Sequence, residues 1–525
     1  MSTPSRNRPS WRLASGHDAM TQGIAVSGFA SLPTGRALFL EFAWNGVKTQ
    51  EGGAWLKALT AVAPITVADG KEQRCAAIGF TWSGLRRMGL DADSLASFDR
   101  PFREGMFQGD RLRRLGDRRG TDWLQTVIEN GPKWSGNTRP DDTEPACGDS
   151  ETSSGEDRIE TPITVHALLL LYENDEASAD AWCAEVEDAV GPFGVHVVHR
   201  LPLQLRLDDK GIAREHFGFA DGVSQPVPYA EGIVTLSNGE DAPQDAWNGV
   251  ALGEILMGHQ NGHHEIAAGP VVPDTQAAAD AGLLPHPRGE NLRDFGLDGS
   301  YMVARELRQD VAAFWRSMDE DAAKINAACP PAGQSVDAHW VASRVVGRDR
   351  EGHLLSPDGV LPPNKNGQPD NDVVYFDRDR HGLGCPLGSH VRRGNPRDAL
   401  ASAPEDKQTM LDAANTHRIL RRGRNYGPDI ADPRVDDGAD RGLLFICLNT
   451  DIARQFEFVQ QTWILNPNFS CLFDETDPLI GPSGAFTIPE KPLRRIVPVK
   501  TFVQMAGGEY FFLPSMPALR YLEAL

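Results

Sequence analysis

The chain has 525 residues, 40% of them hydrophobic, and a formal net charge of −21. That length exceeds what one ordinary hydrophobic core organises and predicts two or more packed units. The charge argues against nucleic acid, whose phosphates call for clustered Lys and Arg, and disfavours anionic membrane surfaces for the same reason.

In chain order, a polar lead over residues 1–20 gives way to a buried strand at Arg36 to Trp44 and a short helix over Gly53 to Val62, with Trp55, Leu56 and Leu59 on one face. Cys75 to Thr81 reads as a second strand and runs into a helix carrying Leu85, Met88 and Leu90. Residues 136–160 turn to Pro, Gly, Ser, Thr and acids, with eight carboxylates between Asp141 and Glu160. So little apolar surface cannot repay ordering, and an exposed loop is expected. Strand-like Val165 to Tyr172 follows, then a helix from about Asp175 to Val190 with Ala179, Trp182, Val186 and Val190 at helical spacing. Val195 to Leu205 is a further strand or pair of strands. These elements suit an α+β, ferredoxin-like arrangement of antiparallel sheet with peripheral helices.

Residues 231–300 are polar and loop-rich, and Ser300 to Trp315 is an amphipathic helix or a strand-helix pair. Gly442 to Cys447 reads as a strand feeding a helix over Asp451 to Trp463. That pair echoes Arg36 to Leu59 and hints at an internally duplicated fold. Phe502 to Pro514 is the last strand.

Seven scattered cysteines without a C-x-x-C pair argue against a disulfide framework or a thiolate metal site. With no apolar signal core near the N-terminus and no bilayer-length apolar segment, the expected location is cytoplasmic.

Three stretches carry candidate chemistry. In HGLGCPLGSHVRRGNPR, His390 is accompanied by Arg392, Arg393 and Arg397 in an otherwise acidic chain. An imidazole can hold a haem iron from one side and leave the other face open, and the cations would answer an anionic cofactor. In GFADG, flanking glycines let the backbone approach a flat ligand near Gly222 while presenting the carboxylate of Asp221. ILRRG adds Arg421 and Arg422, which also reads as a helix end with Gly423 as its C-cap. A fourth cluster, His259, His263, His264 and Glu265, has spacing that permits a divalent metal, although an ordinary polar loop is the plainer reading.

The ordered series GxxDG, C-P-x-G-x-H-x-R-R-x-N-P-R, I-L-R-R-G-x-x-Y-G-P, G-L-L-F, F-V-Q-Q-T-W and G-G-E-Y-F-F resembles the dye-decolourising peroxidase family, in its longer bacterial and fungal branch. The resemblance implies haem b, two ferredoxin-like halves of the dimeric α+β barrel type, and oxidation of aromatic donors and dyes by hydrogen peroxide, with a possible homodimer. It places the first half at 21–230 with the distal motif, and the second at 231–525. His390 matches the proximal iron ligand and Arg397 the arginine that pairs with a haem propionate. Asp221 matches the distal acid and base, Arg421 the distal arginine, and Leu444 and Phe445 the apolar wall of the distal pocket. Asp477 is the candidate carboxylate behind His390, with Glu457 and Glu475 as rivals. Aspartate's ordinary pKa of ~3.9 implies a peroxidase that still works in acid. A haem-handling role, either iron release or binding without turnover, is the alternative.

Overall fold

The computed structural model describes residues 11–44, 52–69, 73–138, 159–236, 238–287, 289–364, 367, 369–491 and 494–525. Most of the acidic loop expected at 136–160 lies outside the described residues, as does the first half of the polar lead.

The central sheet is built from β1 (Thr34–Phe42), β2 (Cys75–Phe80), β3 (Ala167–Glu173), β4 (Val195–Gln204), β5 (Ser300–Gln309), β6 (Arg424–Tyr426), β7 (Gly442–Asn449) and β8 (Val503–Leu513). Neighbouring strands run β5-β7-β6-β4-β1-β3-β2-β8, and β8 pairs again with β5, so the sheet closes into an antiparallel barrel. Closure removes exposed edges. Within it, β1 to β4 lie in the order 4-1-3-2, and β5 to β8 repeat that order, each set being ferredoxin-like. The duplication is therefore real in topology, but its register differs from the sequence echo. The equivalent of β1 is β5, whereas β7 corresponds to β3.

Helices α1 (Ala54–Val62) and α2 (Glu176–Val190) cover the first set, and α3 (Val311–Ala328) and α4 (Ala338–Val346) pack on one another beside the second. Aspartates at the N-caps start three of them: Asp175, Asp310 and Asp337 accept the backbone N–H three residues on, each at 2.9 Å. The stretch after β7 is wound as two π-helical turns, Ala453–Glu457 and Val459–Ile464, rather than as the regular helix expected. Such widened turns are frequent at functional sites.

Strand alternation sorts the core. Ala37, Phe39, Leu168, Leu170, Leu203, Met302, Ala304, Leu444, Ile446 and Phe511 share one apolar cluster inside the barrel. The intervening Leu38, Leu40, Leu169, Leu171, Val303 and Phe512 pack outward with Leu56 and Trp182 of the helices. A strand buried on both faces must read as an unbroken apolar run, as ALLLLY of β3 does. Among the described residues no helix is long and apolar enough to cross a membrane.

Candidate active site

A cavity of about 210 Å³, partly open to solvent, lies between the outer face of β5, β7 and β8 and the chain that crosses it. Arg305 and Leu307 of β5, Phe445 of β7 and Met505 of β8 form its floor, with Arg305 directly opposite Phe445 and Leu307 opposite Met505. The two π-helical turns add Phe456, Val459 and Ile464.

His390 enters from the first position of α5 (His390–Gly394). The preceding loop is fastened at both ends. Asp379 accepts the backbone N–H groups of Leu383, Gly384 and Cys385, and the Arg392 guanidinium donates to the carbonyls of Asp379 and Cys385. At Gly347, which ends α4 with φ 98°, a Cβ would meet Val391 at 2.4 Å, so α5 is pressed against that turn. His390 Nδ1 lies 3.0 Å from Oδ2 of Asp477, a fully buried carboxylate whose Oδ1 accepts the N–H groups of Leu479 and Ile480 at 2.9 Å. Burial alone would push the Asp477 carboxyl up. The neighbouring imidazole, the Ile480 N–H and the Arg393 guanidinium more than offset this and hold it below its ordinary value. With Nδ1 engaged, Nε2 is the ring nitrogen left to bind a ligand.

The rival carboxylates are committed elsewhere. Glu457 holds Arg111 and the Tyr510 hydroxyl, and Glu475 accepts from the backbone and hydroxyl of Thr487.

The cations differ from the sequence expectation. Arg393 is tied to the carbonyls of Trp463, Ile464, Asn466 and Glu475 and, like Arg392, is a framework residue rather than a cavity residue. Arg397 does line the cavity, together with Arg305, Arg348, Arg418 and Arg421, and of these the sequence reading named only Arg397 and Arg421. Arg305 is paired with Asp117 at 2.5 Å. Burial lowers Arg348 and Arg397, and it brings Arg418 down to about 9, helped by the nearness of Arg397 and Arg421. Arg418 Nη1 is buried with no hydrogen-bond partner. Repelling, desolvated guanidinium groups around a cavity are costly unless an anion joins them.

On the opposite wall, ILRRG is a strand turn rather than a helix end. Leu420 and Arg421 pair with Leu448 and Cys447 of β7, and a Cβ on Gly423 would meet the Leu444 carbonyl at 2.6 Å. The GFADG loop docks on this strand. Gln225 and Arg421 exchange side-chain and backbone hydrogen bonds, and Arg421 Nη2 donates to the Ser224 carbonyl at 3.0 Å. Glu215, half-buried in the loop, accepts the N–H groups of Phe217 and Phe219 and a hydrogen bond from Nε2 of Gln309.

Three of the expected residues do not line the cavity. Leu444 points into the barrel, because alternate side chains on a strand face opposite ways and Phe445 takes the cavity side. Asp221 and Gly222 lie outside the cavity lining. The Asp221 carboxylate turns back on its own loop to accept the Gly222 N–H at 2.6 Å, and Ser224 is the residue of that segment on the cavity wall. The arrangement suits an iron porphyrin: an imidazole with one nitrogen free, a largely apolar slot, and buried guanidinium groups, one with an orphaned N–H, for its carboxylates.

The chain is 30% identical over 377 residues to a protein named "Multifunctional dye peroxidase DyP2" from Amycolatopsis sp., an overlap covering 68% of this chain and 71% of the relative. Among solved structures, a DyP-type peroxidase from Anabaena sp. superposes with a TM-score of 0.66 at 23% identity, covering 96% of this chain and 94% of the other. A dye-decolorizing peroxidase in complex with 2,6-dimethoxyphenol gives 0.66 at 23% identity, covering 97% and 99%. At those identities the structures speak for the fold alone. No family model matches the chain.

Proposed function

This chain belongs to the dye-decolourising peroxidase family, a family of haem enzymes, and on that footing we propose that its cavity holds haem b through His390 and oxidises aromatic donors with hydrogen peroxide. The observation that carries the reading is the 3.0 Å contact between His390 Nδ1 and the buried Asp477 carboxylate on the wall of an arginine-rich cavity. In this reading residues 21–230 and 231–525 are the two repeats of the fold.

When bound, an iron porphyrin supplies the two-electron reduction of peroxide and the one-electron oxidation of donors. The residues of the chain prepare the site for this. Asp477 accepts the Nδ1–H of His390, which fixes the tautomer with its Nε2 lone pair free and makes the imidazole a stronger donor. Arg397 and Arg418 are the partners for the propionates, and Arg418 gains a partner for its orphaned Nη1. Arg421, a fixed cation held by Ser224, stabilises negative charge that develops on the outer peroxide oxygen. Asp221 is the proposed base that takes a proton from the inner peroxide oxygen and returns it to the outer one. That role requires its carboxylate to reach the cavity from the loop that already contributes Ser224. Phe445, Leu307 and Ile464 limit water around these charges, which strengthens each interaction.

Stopped-flow mixing of the haem-loaded protein with peroxide tests these roles. Asp221→Asn and Arg421→Ala are each expected to slow the spectral change by ~10²-fold or more while leaving the resting spectrum intact. Variants that react as fast as the parent would remove both residues from the mechanism. The dimethoxyphenol bound by a relative motivates phenolic donors as the first substrates to assay.

A further inference from the structure

A second cluster of chemistry-bearing side chains lies outside the cavity. Of the four residues in GHQNGHHEI, only His259 turns inward, whereas His263, His264 and Glu265 are exposed. His259 meets two residues far away in sequence. These are His17, on the short N-terminal helix His17–Met20, and Asp298, in the turn that leads into β5. His259 Nε2 is 2.7 Å from Asp298 Oδ1, and His17 Nδ1 is 3.1 and 3.0 Å from Oδ1 and Oδ2. One ligand atom from each residue falls within 4.8 Å of the others. None of the three lines the haem cavity.

We propose that His17, His259 and Asp298 bind one divalent transition-metal ion of the zinc class. Tetrahedral zinc holds nitrogen and oxygen ligands at ~2.0–2.2 Å, which spaces them roughly 3.3 Å apart; the nitrogen–oxygen separations here are 2.7 and 3.0 Å, and the two nitrogens lie within 4.8 Å of each other, so small side-chain shifts admit the ion. Two imidazoles and a carboxylate suit zinc better than the oxygen-seeking calcium or magnesium. The Asp298 side chain is 1% exposed and that of His17 is 27% exposed, so the site is closed on one side and leaves a fourth position on the other for water. Asp298 takes up φ 59°, which carries its carboxylate toward both rings. The charged neighbours that act on the cluster, Asp18 on His17 and Asp294 on Asp298, are acids and favour a cation. In the metal-free network each imidazole donates an N–H to the shared carboxylate. Metal binding uses the other tautomer of each ring, in which the proton sits on the outer ring nitrogen and His17 Nδ1 and His259 Nε2 present their lone pairs to the ion. The ion would tie the N-terminal segment to the entry of the second set of strands.

This proposal rests on no part of the peroxidase reading. Its test is a zinc titration of the haem-loaded full chain after removal of metal by a chelator, read by calorimetry and by elemental analysis of the gel-filtered protein. One equivalent of zinc is expected. His17→Ala and His259→Ala should each weaken it by at least ~10-fold, since even the loss of an outer partner costs that much at other sites. A double His263→Ala, His264→Ala variant should bind as the parent does. If the buried His259→Ala fails to fold, the part-exposed His17→Ala carries the test. No uptake by the parent, uptake unchanged in the His17 variant, or uptake lost in the double variant would each overturn the assignment.

Discussion

Replacing Asp477 by Asn removes one charge and leaves the shape nearly unchanged, which makes it a sharp probe of the imidazole's role. Oδ1 of Asp477 accepts two backbone N–H groups at 2.9 Å, and Oδ2 faces His390 Nδ1 at 3.0 Å. An Asn that keeps its carbonyl on the backbone must present its NH₂ to His390. Nδ1 then becomes the acceptor, the proton moves to Nε2, and the nitrogen meant for iron is blocked. An Asn turned the other way points NH₂ at two N–H donors and gives up two hydrogen bonds of about 1 kcal/mol each. Either arrangement costs roughly 1.4–2.7 kcal/mol, a 10–100-fold loss of haem affinity by the outer-partner rule. Haemin titration followed by the Soret band measures it directly, and peroxide kinetics should fall in parallel. An Asp477→Asn protein that binds haemin and reacts within twofold of the parent would refute the reasoning.

Arg418→Met should act with opposite signs in the two forms of the protein. It relieves a buried, partly unpaired cation, so the haem-free melting temperature should hold or rise, while haemin affinity falls by about tenfold; a lowered haem-free melting temperature would contradict the cavity's charge logic. Leu444→Ala should cost about 2–5 kcal/mol of stability and leave the haem spectrum unchanged, whereas Phe445→Ala should perturb the spectrum, as denaturation and absorption together can check. Burial pushes Glu215 up from 4.5 to about 7. Above pH 4.5 the unfolded chain loses a proton that the folded chain keeps, so this group's contribution makes stability fall as pH rises toward 7 and level off beyond it. Glu215→Gln should flatten that slope in denaturant melts at stepped pH, and an unchanged slope would remove Glu215 from the account.

The parts of the site legible in the sequence were the local ones. His390, Arg397 and Arg421 sit in short motifs whose turns are set by nearby residues, and the structure brings all three to one cavity. The partner of His390 was open between Asp477, Glu457 and Glu475, because the choice depends on contacts made across the fold: Arg111 and Tyr510 take one rival and Thr487 the other. Arg305, Arg348 and Arg418 went unnoticed for the same reason, since barrel closure and strand register bring them to the cavity. Leu444 was a different kind of error. The two-residue period of a strand already implies that Leu444 and Phe445 cannot face the same pocket, and this was readable in GLLF. The repeat was visible only as a faint echo because its two copies share strand order rather than residues, and the echo paired β1 with the wrong strand.

The central claim is that His390, with its Nδ1 held by Asp477, is the ligand for iron in this cavity. His417, which also lines the cavity, provides an internal control. The measurement is a haemin titration of the parent, His390→Ala and His417→Ala, read by absorption and electron paramagnetic resonance. The account predicts one histidine-ligated haem per chain in the parent and in His417→Ala, and loss of that signature in His390→Ala alone. A His390→Ala protein that keeps the histidine-ligated spectrum would contradict it.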